Sequence, residues 1–213
     1  MLVERGLRLL VFDATCGGSR LVPGLSRAWS SGALLYRGLG RIDAALGVRS
    51  WDEALAFLAT HEAPRPIAEV QYWGHGNFGR ILVANDVLDT RALASSEHRS
   101  SLDALRDRLD RSRASGHEPL VWLRTCEAFG GEKGQAFAKS LANRLETRVA
   151  GHTHVIGVLQ SGLVSLRPGE EPSWPLTLGV THQGETAQGR GSSFAEPRTV
   201  HFLTGKLPTW ADD

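Results

Sequence analysis

The chain has 213 residues, of which 41% are hydrophobic and 22% charged, and a net charge of +1. That length suits a single domain whose core needs no staples. The near-neutral, evenly spread charge offers no footprint for nucleic acid or an anionic membrane, and no apolar run is long enough to span a bilayer. Two cysteines make no disulfide framework, so a reducing, cytoplasmic location is expected.

In chain order, residues 7–13 form a short apolar run that ends on Asp13. With no small-residue cleavage site behind it, the run reads as a first strand, buried on both faces, and not as a signal peptide. Cys16-Gly17-Gly18-Ser19 and Pro23-Gly24 make a long loop. Leu25–Ser31 suits a short helix, and 33–36 (Ala-Leu-Leu-Tyr) suits a second strand. Ser50 and Glu53 make a capping box for a helix over Trp51–Thr60, ended by Pro64 and Pro66. Ile67–Trp73 is a strand with Gly74-His75-Gly76 as its exit turn. Phe78–Val83 suits a small hairpin or edge strand, and Asp89 or Thr90 starts a short helix. Ser100 or Ser101 caps an amphipathic helix carrying Leu102, Leu105 and Leu109. Pro119–Thr125 is a strand that delivers Cys126. A helix follows over about 132–147 with Phe137, Leu141 and Leu145 as its apolar stripe, then a strand over Arg148–His152.

Strand alternating with helix predicts an α/β fold with a central, mostly parallel sheet flanked by helices. The whole chain, 1–213, is one domain with its core at about 7–160. From about 161 to 213 the composition turns to Gly, Pro, Ser and Thr. A small antiparallel addition is expected there, with strands at Leu176–Val180 and Thr199–Leu203 joined by a mobile loop at 184–193.

Open parallel sheets bind ligands beyond the C-terminal ends of their strands. Asp13, His75, Cys126, His152 and His154 are all predicted at that edge. Fifty-one residues separate His75 from Cys126, room for one connecting helical unit. A cysteine before a Gly-Gly turn and a helix, beside an imidazole, favours the thiolate. His75 then acts as base and Cys126 as nucleophile, with the backbone N–H groups of Gly76 and Cys126 as oxyanion donors. The chemistry that needs this set is acyl transfer, most simply amide hydrolysis through a thioester.

The strand into His75-Gly76, the strand into Cys126, the run Cys126-Glu-Ala-Phe-Gly-Gly-Glu-Lys-Gly134 and the helix carrying Phe137-Ala138 and Leu141-Ala142 resemble the caspase-like cysteine peptidases. The likeness is greatest to bacterial CHAT and self-processing toxin-type members. It covers about residues 7–160 and implies a three-layer caspase-like fold. It also implies a His75–Cys126 dyad, no required cofactor or metal, a peptide or protein substrate, and gating by processing, a ligand or a regulatory partner protein. The glutamate, alanine and phenylalanine after Cys126 depart from the basic-glycine or His-Ser-Gly runs of caspases and metacaspases. In the family, the residue two before the cysteine shapes the pocket for the side chain preceding the cut bond. That residue is Arg124, which suits an acidic side chain. Asp13 argues the opposite, or neutralises Arg124.

Two other classes stand beside the peptidase: an interaction module that cuts nothing, and a metal-dependent hydrolase. For the last, His152 and His154 share a strand face, and His75 or Asp13 would complete a ligand set. Cys16 has no evident base in the sequence, and a Cys16–Cys126 disulfide carries little weight. Trp73 and Trp122 read as core, and Trp174 and Trp210 as surface anchors for a partner. Glu185, Arg190 and Glu196 are candidate self-cleavage positions.

Overall fold

The structure is a computed structural model that describes residues 5–18, 24–183 and 186–212. Its centre is a six-stranded sheet. In chain order the elements begin β1 (Leu7–Asp13), α1 (Leu25–Gly38), β2 (Ala44–Val48), α2 (Trp51–Thr60) and β3 (Ile67–Trp73). A small antiparallel sheet of β4 (His75–Asn77), β5 (Arg80–Val83) and β6 (Asp86–Asp89) follows. Then come α3 (Thr90–Ala94), α4 (Arg99–Ala114), β7 (Leu120–Arg124), α5 (Gly131–Leu145) and β8 (Arg148–His152). The C-terminal part holds β9 (Leu159–Gln160), β10 (Leu163–Leu166), β11 (Val180–Gln183), β12 (Thr186–Gly189), β13 (Val200–His201) and a 3-10 turn at Thr209–Asp212.

The main sheet runs β10-β8-β7-β3-β1-β2. Every pairing in it is parallel except β8 with β10, which is antiparallel. Alternation along each strand divides the side chains between two cores. On one face, Leu7, Leu9, Val11, Val70, Tyr72, Val121, Leu123 and Val149 pack with α2, α4 and α5. On the other, Leu10 and Trp73 meet Ala33 and Tyr36 of α1, while Trp122, Ala150 and Leu163 meet Val200 and Ala211. Strands buried on both faces read as continuous apolar runs, which is why β1, β3, β7 and β8 are visible in the sequence. The second face is covered partly by α1 and partly by the irregular segment around 200–211, not by helices alone.

Several expectations are corrected. Residues 33–36 lie inside α1. Ala33 and Tyr36, three apart, are buried, whereas Leu34 is 70% and Leu35 47% exposed, which is helical and not strand periodicity. The second strand is instead Ala44–Val48, whose small side chains carry little apolar signal. Its Gly47 leaves room for the Phe12 ring, 2.8 Å from where a Cβ would stand. Leu176 is 49% exposed and outside any strand. Within the expected mobile loop, residues 186–189 form β12 and Gly191 bridges Val155; Glu185 lies outside the described residues. The capping box is half made. Ser50 Oγ accepts from Glu53 N at 3.2 Å, but the Glu53 carboxylate takes the N–H of Arg49 instead of Ser50. α4 begins at Arg99, with His98 at the cap position. Trp174 is buried, stacks on Phe129 and donates to its carbonyl at 3.0 Å, so it is core and not a surface anchor.

The turn that carries Cys126 into α5 is tightly packed. A Cβ at Gly134 would stand 2.3 Å from the carbonyl carbon of Phe129 and 2.7 Å from its oxygen. Gly134→Ala is expected to destabilise the fold by about 1–3 kcal/mol, because the obstacle is backbone. Urea unfolding should show a lower midpoint; an unchanged midpoint means that the turn yields freely.

Candidate active site

Parallel register sets the site. Phe12 pairs with Trp73, and Trp73 with Arg124. One step further along, β1 delivers Asp13, β3 delivers Gly74-His75 and β7 delivers Thr125-Cys126, all at the same sheet edge. The strand order reverses at β1, with β2 on one side and β3 on the other, and such a switch point opens a crevice.

A cavity of about 380 Å³ occupies this edge, lined among others by Trp29, Trp73, His75, Arg124, Cys126 and Phe202. His75 and Cys126 therefore face one space. They are not each other's hydrogen-bond partner. His75 Nε2 lies 2.9 Å from Cys16 Sγ, and the Trp29 ring meets the imidazole edge-on at 5.5 Å. Cys16, which has no base visible in the sequence, thus has one in space. Cys126 Sγ accepts from Ile156 N at 3.4 Å and lies 3.8 Å from Ile156 O. Both thiols are free.

The expected thiolate at Cys126 is corrected. Burial is the main cause that pushes its thiol pKa up, and the neighbouring Glu127 carboxylate adds to it; the Ile156 N–H works the other way. The N-terminus of α5, expected at about 132, begins at Gly131, five residues after Cys126. Cys16 is also pushed up, first by burial and then by the Asp13 charge.

The turn after Cys126 is stapled to the exit of β8. Glu127 N donates to His154 O at 3.0 Å and Phe129 N to His152 O at 3.1 Å. Glu127 sits at φ +55°, and Gly130 N returns to Glu127 O at 2.9 Å. Gly76 fits for a local reason: a Cβ there would stand 2.5 Å from Cys126 O and 2.7 Å from Thr125 Oγ1. Its missing side chain lets the start of β4 lie against the Cys126 peptide.

Arg124 is 3% exposed and has no carboxylate partner among the described residues. Its Nε donates to Gln160 Oε1 at 2.9 Å, Nη2 to Phe202 O at 2.8 Å and Nη1 to the Tyr36 hydroxyl. The guanidinium lies over the Trp122 ring, 4.4 Å from its centroid. Asp13 does not neutralise it. The fully buried Asp13 carboxylate accepts from Thr15 N at 2.7 Å, Thr15 Oγ1 at 2.6 Å and Ala84 N at 3.3 Å.

The histidine pair at the end of β8 is structural. His152 is fully buried, Nδ1 donating to Ser161 O at 3.1 Å, and burial is the main cause that pushes its pKa down to about 3, so the ring is neutral. His154 holds Glu196 at 3.1 Å through Nε2 and Thr153 Oγ1 at 3.0 Å through Nδ1. Neither joins Asp13 and His75, as the metal reading had it; Cys16 does, with one ligand atom from each of the three within 4.8 Å of the others. Arg190 is tied through its backbone to Gly179 and Val155, and the Glu196 carboxylate holds His154. No helix among the described residues is long and apolar enough to cross a membrane.

The raised thiol pKa has a kinetic signature, because alkylation follows the thiolate fraction. In a Cys16→Ala background, iodoacetamide should label Cys126 slowly at neutral pH, with a rate that keeps climbing beyond the ordinary thiol range. Glu127→Gln removes a negative neighbour, lowers the pKa and should speed labelling at pH 8 by about two- to fivefold. Mass spectrometry of the intact protein reads both; a rate already flat at pH 7 means a preformed thiolate instead. No protein-family model and no curated protein sequence matches this chain, so the chemistry of the site is read from its own geometry.

Proposed function

We propose that the chain is a caspase-like cysteine endopeptidase in which His75 is the general base and acid and Cys126 the nucleophile. One observation carries this reading. The two side chains stand at the exits of adjacent parallel strands and line one cavity, next to a buried guanidinium. The α/β layers and the mostly parallel sheet suit a caspase-like fold. The two free thiols suit a reducing, cytoplasmic compartment. No cofactor enters the scheme.

Because burial holds the thiol protonated, attack is assisted and not pre-ionised. As a peptide carbonyl settles over Cys126, His75 takes the thiol proton and sulfur bonds to the carbonyl carbon. The oxyanion is met by backbone N–H groups, with those of Cys126 and Gly76 as candidates. Collapse breaks the C–N bond, and His75 returns the proton to the leaving amine. Water, deprotonated by the same imidazole, then hydrolyses the thioester. His75 must leave Cys16 for this, consistent with resting sites that tighten only with substrate.

Arg124 is the substrate-reading residue in this scheme. Gln160, Tyr36, Phe202 and, at 3.4 Å, the His201 carbonyl take four of its five N–H groups. The remaining one, in a wall of tryptophan and phenylalanine, suits the carboxylate of an aspartate or glutamate before the cut bond.

The second reading is an interaction module with a peptidase-like fold. The raised Cys126 pKa and the occupation of His75 by Cys16 favour it. A peptide set varied at the residue before the cut bond separates the two. The peptidase should prefer Asp or Glu over Lys or Arg, and Cys126→Ala should lower kcat/KM by about a thousandfold or more with an unchanged circular dichroism spectrum. Cleavage that survives in Cys126→Ala and disappears in Cys16→Ala moves the nucleophile to Cys16. No turnover on any peptide leaves the binding module.

A further inference from the structure

We propose that Asp13, Cys16 and His75 form a binding site for one zinc-class divalent ion, and that the ion inhibits the peptidase by occupying the base. The second half rests on the function proposed above; the first stands without it.

The three ligand atoms are a buried carboxylate oxygen, a thiol sulfur and an imidazole nitrogen, all within 4.8 Å of one another. That mixture of O, S and N suits zinc better than magnesium or calcium, which take oxygen ligands. Tetrahedral bond lengths place sulfur and nitrogen about 3.5 Å apart around a shared zinc. The resting Cys16 Sγ to His75 Nε2 separation is 2.9 Å, so the pair needs to open by about 0.6 Å. Cys16 lies in a loop and His75 at the first residue of a hairpin strand, so neither is locked in the middle of an element.

Two further features of Asp13 point to a cation. It is fully buried, yet only neutral donors hold it: the Thr15 backbone and hydroxyl and the Ala84 backbone. Among the described residues no lysine or arginine pairs with it. An ionised carboxylate removed from water ordinarily finds a counter-charge. The Thr15 bonds also fix the carboxylate in one orientation, as outer-shell partners do for metal ligands. They load Oδ1 twice, whereas Oδ2 has one long contact and spare acceptor capacity.

Binding releases the Cys16 thiol proton to solvent and places the His75 Nε2 lone pair on the ion. Three protein ligands leave a fourth position for water. A histidine so engaged cannot take a proton from Cys126.

The test uses the full chain and Co²⁺ as the probe, then Zn²⁺ by competition. The unmodified protein should bind one Co²⁺ with a thiolate-to-metal charge-transfer band in the near ultraviolet. That band should persist in Cys126→Ala, vanish in Cys16→Ala and be bleached by one equivalent of Zn²⁺. Asp13→Asn should weaken binding at least tenfold, with circular dichroism to verify its fold. A band retained in Cys16→Ala, or lost in Cys126→Ala, overturns the site. So does the absence of binding at micromolar Co²⁺. In the peptide assay, stoichiometric Zn²⁺ should abolish cleavage and chelator restore it; cleavage that is indifferent to or stimulated by Zn²⁺ overturns the inhibitory role. If the metal-free protein cuts nothing, the peptidase reading fails while the cobalt spectra still decide the site.

Discussion

A guanidinium buried without a direct ion pair holds the second face of the sheet together. Burial lowers the Arg124 pKa and disfavours its charge, and the loss is offset by four acceptors, an aromatic face and the charge of Glu69. Removing a charge from water costs several kcal/mol unless its hydrogen bonds are replaced, so each acceptor is held firmly in place. Those acceptors come from α1, from β9 and from the carbonyls of the C-terminal segment. Tyr36 relays the same bond to Phe202 O, and Arg41 takes Leu203 O. These polar bonds join the apolar packing of Val200, Phe202 and Ala211 in fixing the irregular C-terminal stretch over the sheet. Phe202, seated against Tyr36 and Trp73, then becomes a cavity wall.

Legibility in the sequence follows the same division. β1, β3, β7 and β8 announce themselves because each is buried on both faces, and that signal also sets Asp13, His75 and Cys126 at one sheet edge. α1 was hidden by Leu34 and Leu35, which are apolar but face solvent, so its run resembles a strand. β2 was hidden by small residues, since Gly47 must be small to admit Phe12. The covering of the second face was illegible because Val200, Phe202 and Ala211 are scattered through an irregular stretch, and its hydrogen bonds to Arg124 and Tyr36 use carbonyls, neither of which leaves a periodicity. The Cys16–His75 contact was illegible for another reason. It joins a loop to a strand exit 59 residues away, and only the parallel pairing of β1 with β3 brings them level. The feature that could have suggested it was Asp13 three residues before Cys16, two ligand types in one short loop.

The site holds two thiols and one imidazole, and this competition governs its chemistry. A cysteine–histidine ion pair would keep a thiolate ready at all times. Here both thiols are pushed toward the neutral form, Cys126 mainly by burial and Cys16 by burial and Asp13. Nucleophilicity therefore depends on where the imidazole is. In the peptidase reading proposed above, an imidazole engaged with Cys16 leaves Cys126 inert, and one turned to the cavity activates Cys126 as the substrate settles. Such a resting state protects a thiol from oxidation, which follows thiolate character.

The Cys126 side of the site is fixed. The turn after Cys126 is bonded to β8 through Glu127 and Phe129, and the start of β4 lies against its peptide. Among the described residues the Cys16 loop is held by the N-terminus of α1: Ser26 N donates to Cys16 O at 3.2 Å, Ser26 Oγ donates to Asp13 O at 2.9 Å, and a Cβ at Gly24 would stand 1.9 Å from Cys16 O. The next residues of that helix, Leu25, Ala28 and Trp29, line the cavity, and Trp29 contacts His75. A displacement of Cys16 that frees the imidazole is thus transmitted to the cavity wall itself. Ligand in the cavity and occupation of the Asp13–Cys16–His75 cluster bear on the same few residues. Any agent that orders one must bias the other, by linkage and without a separate regulatory domain.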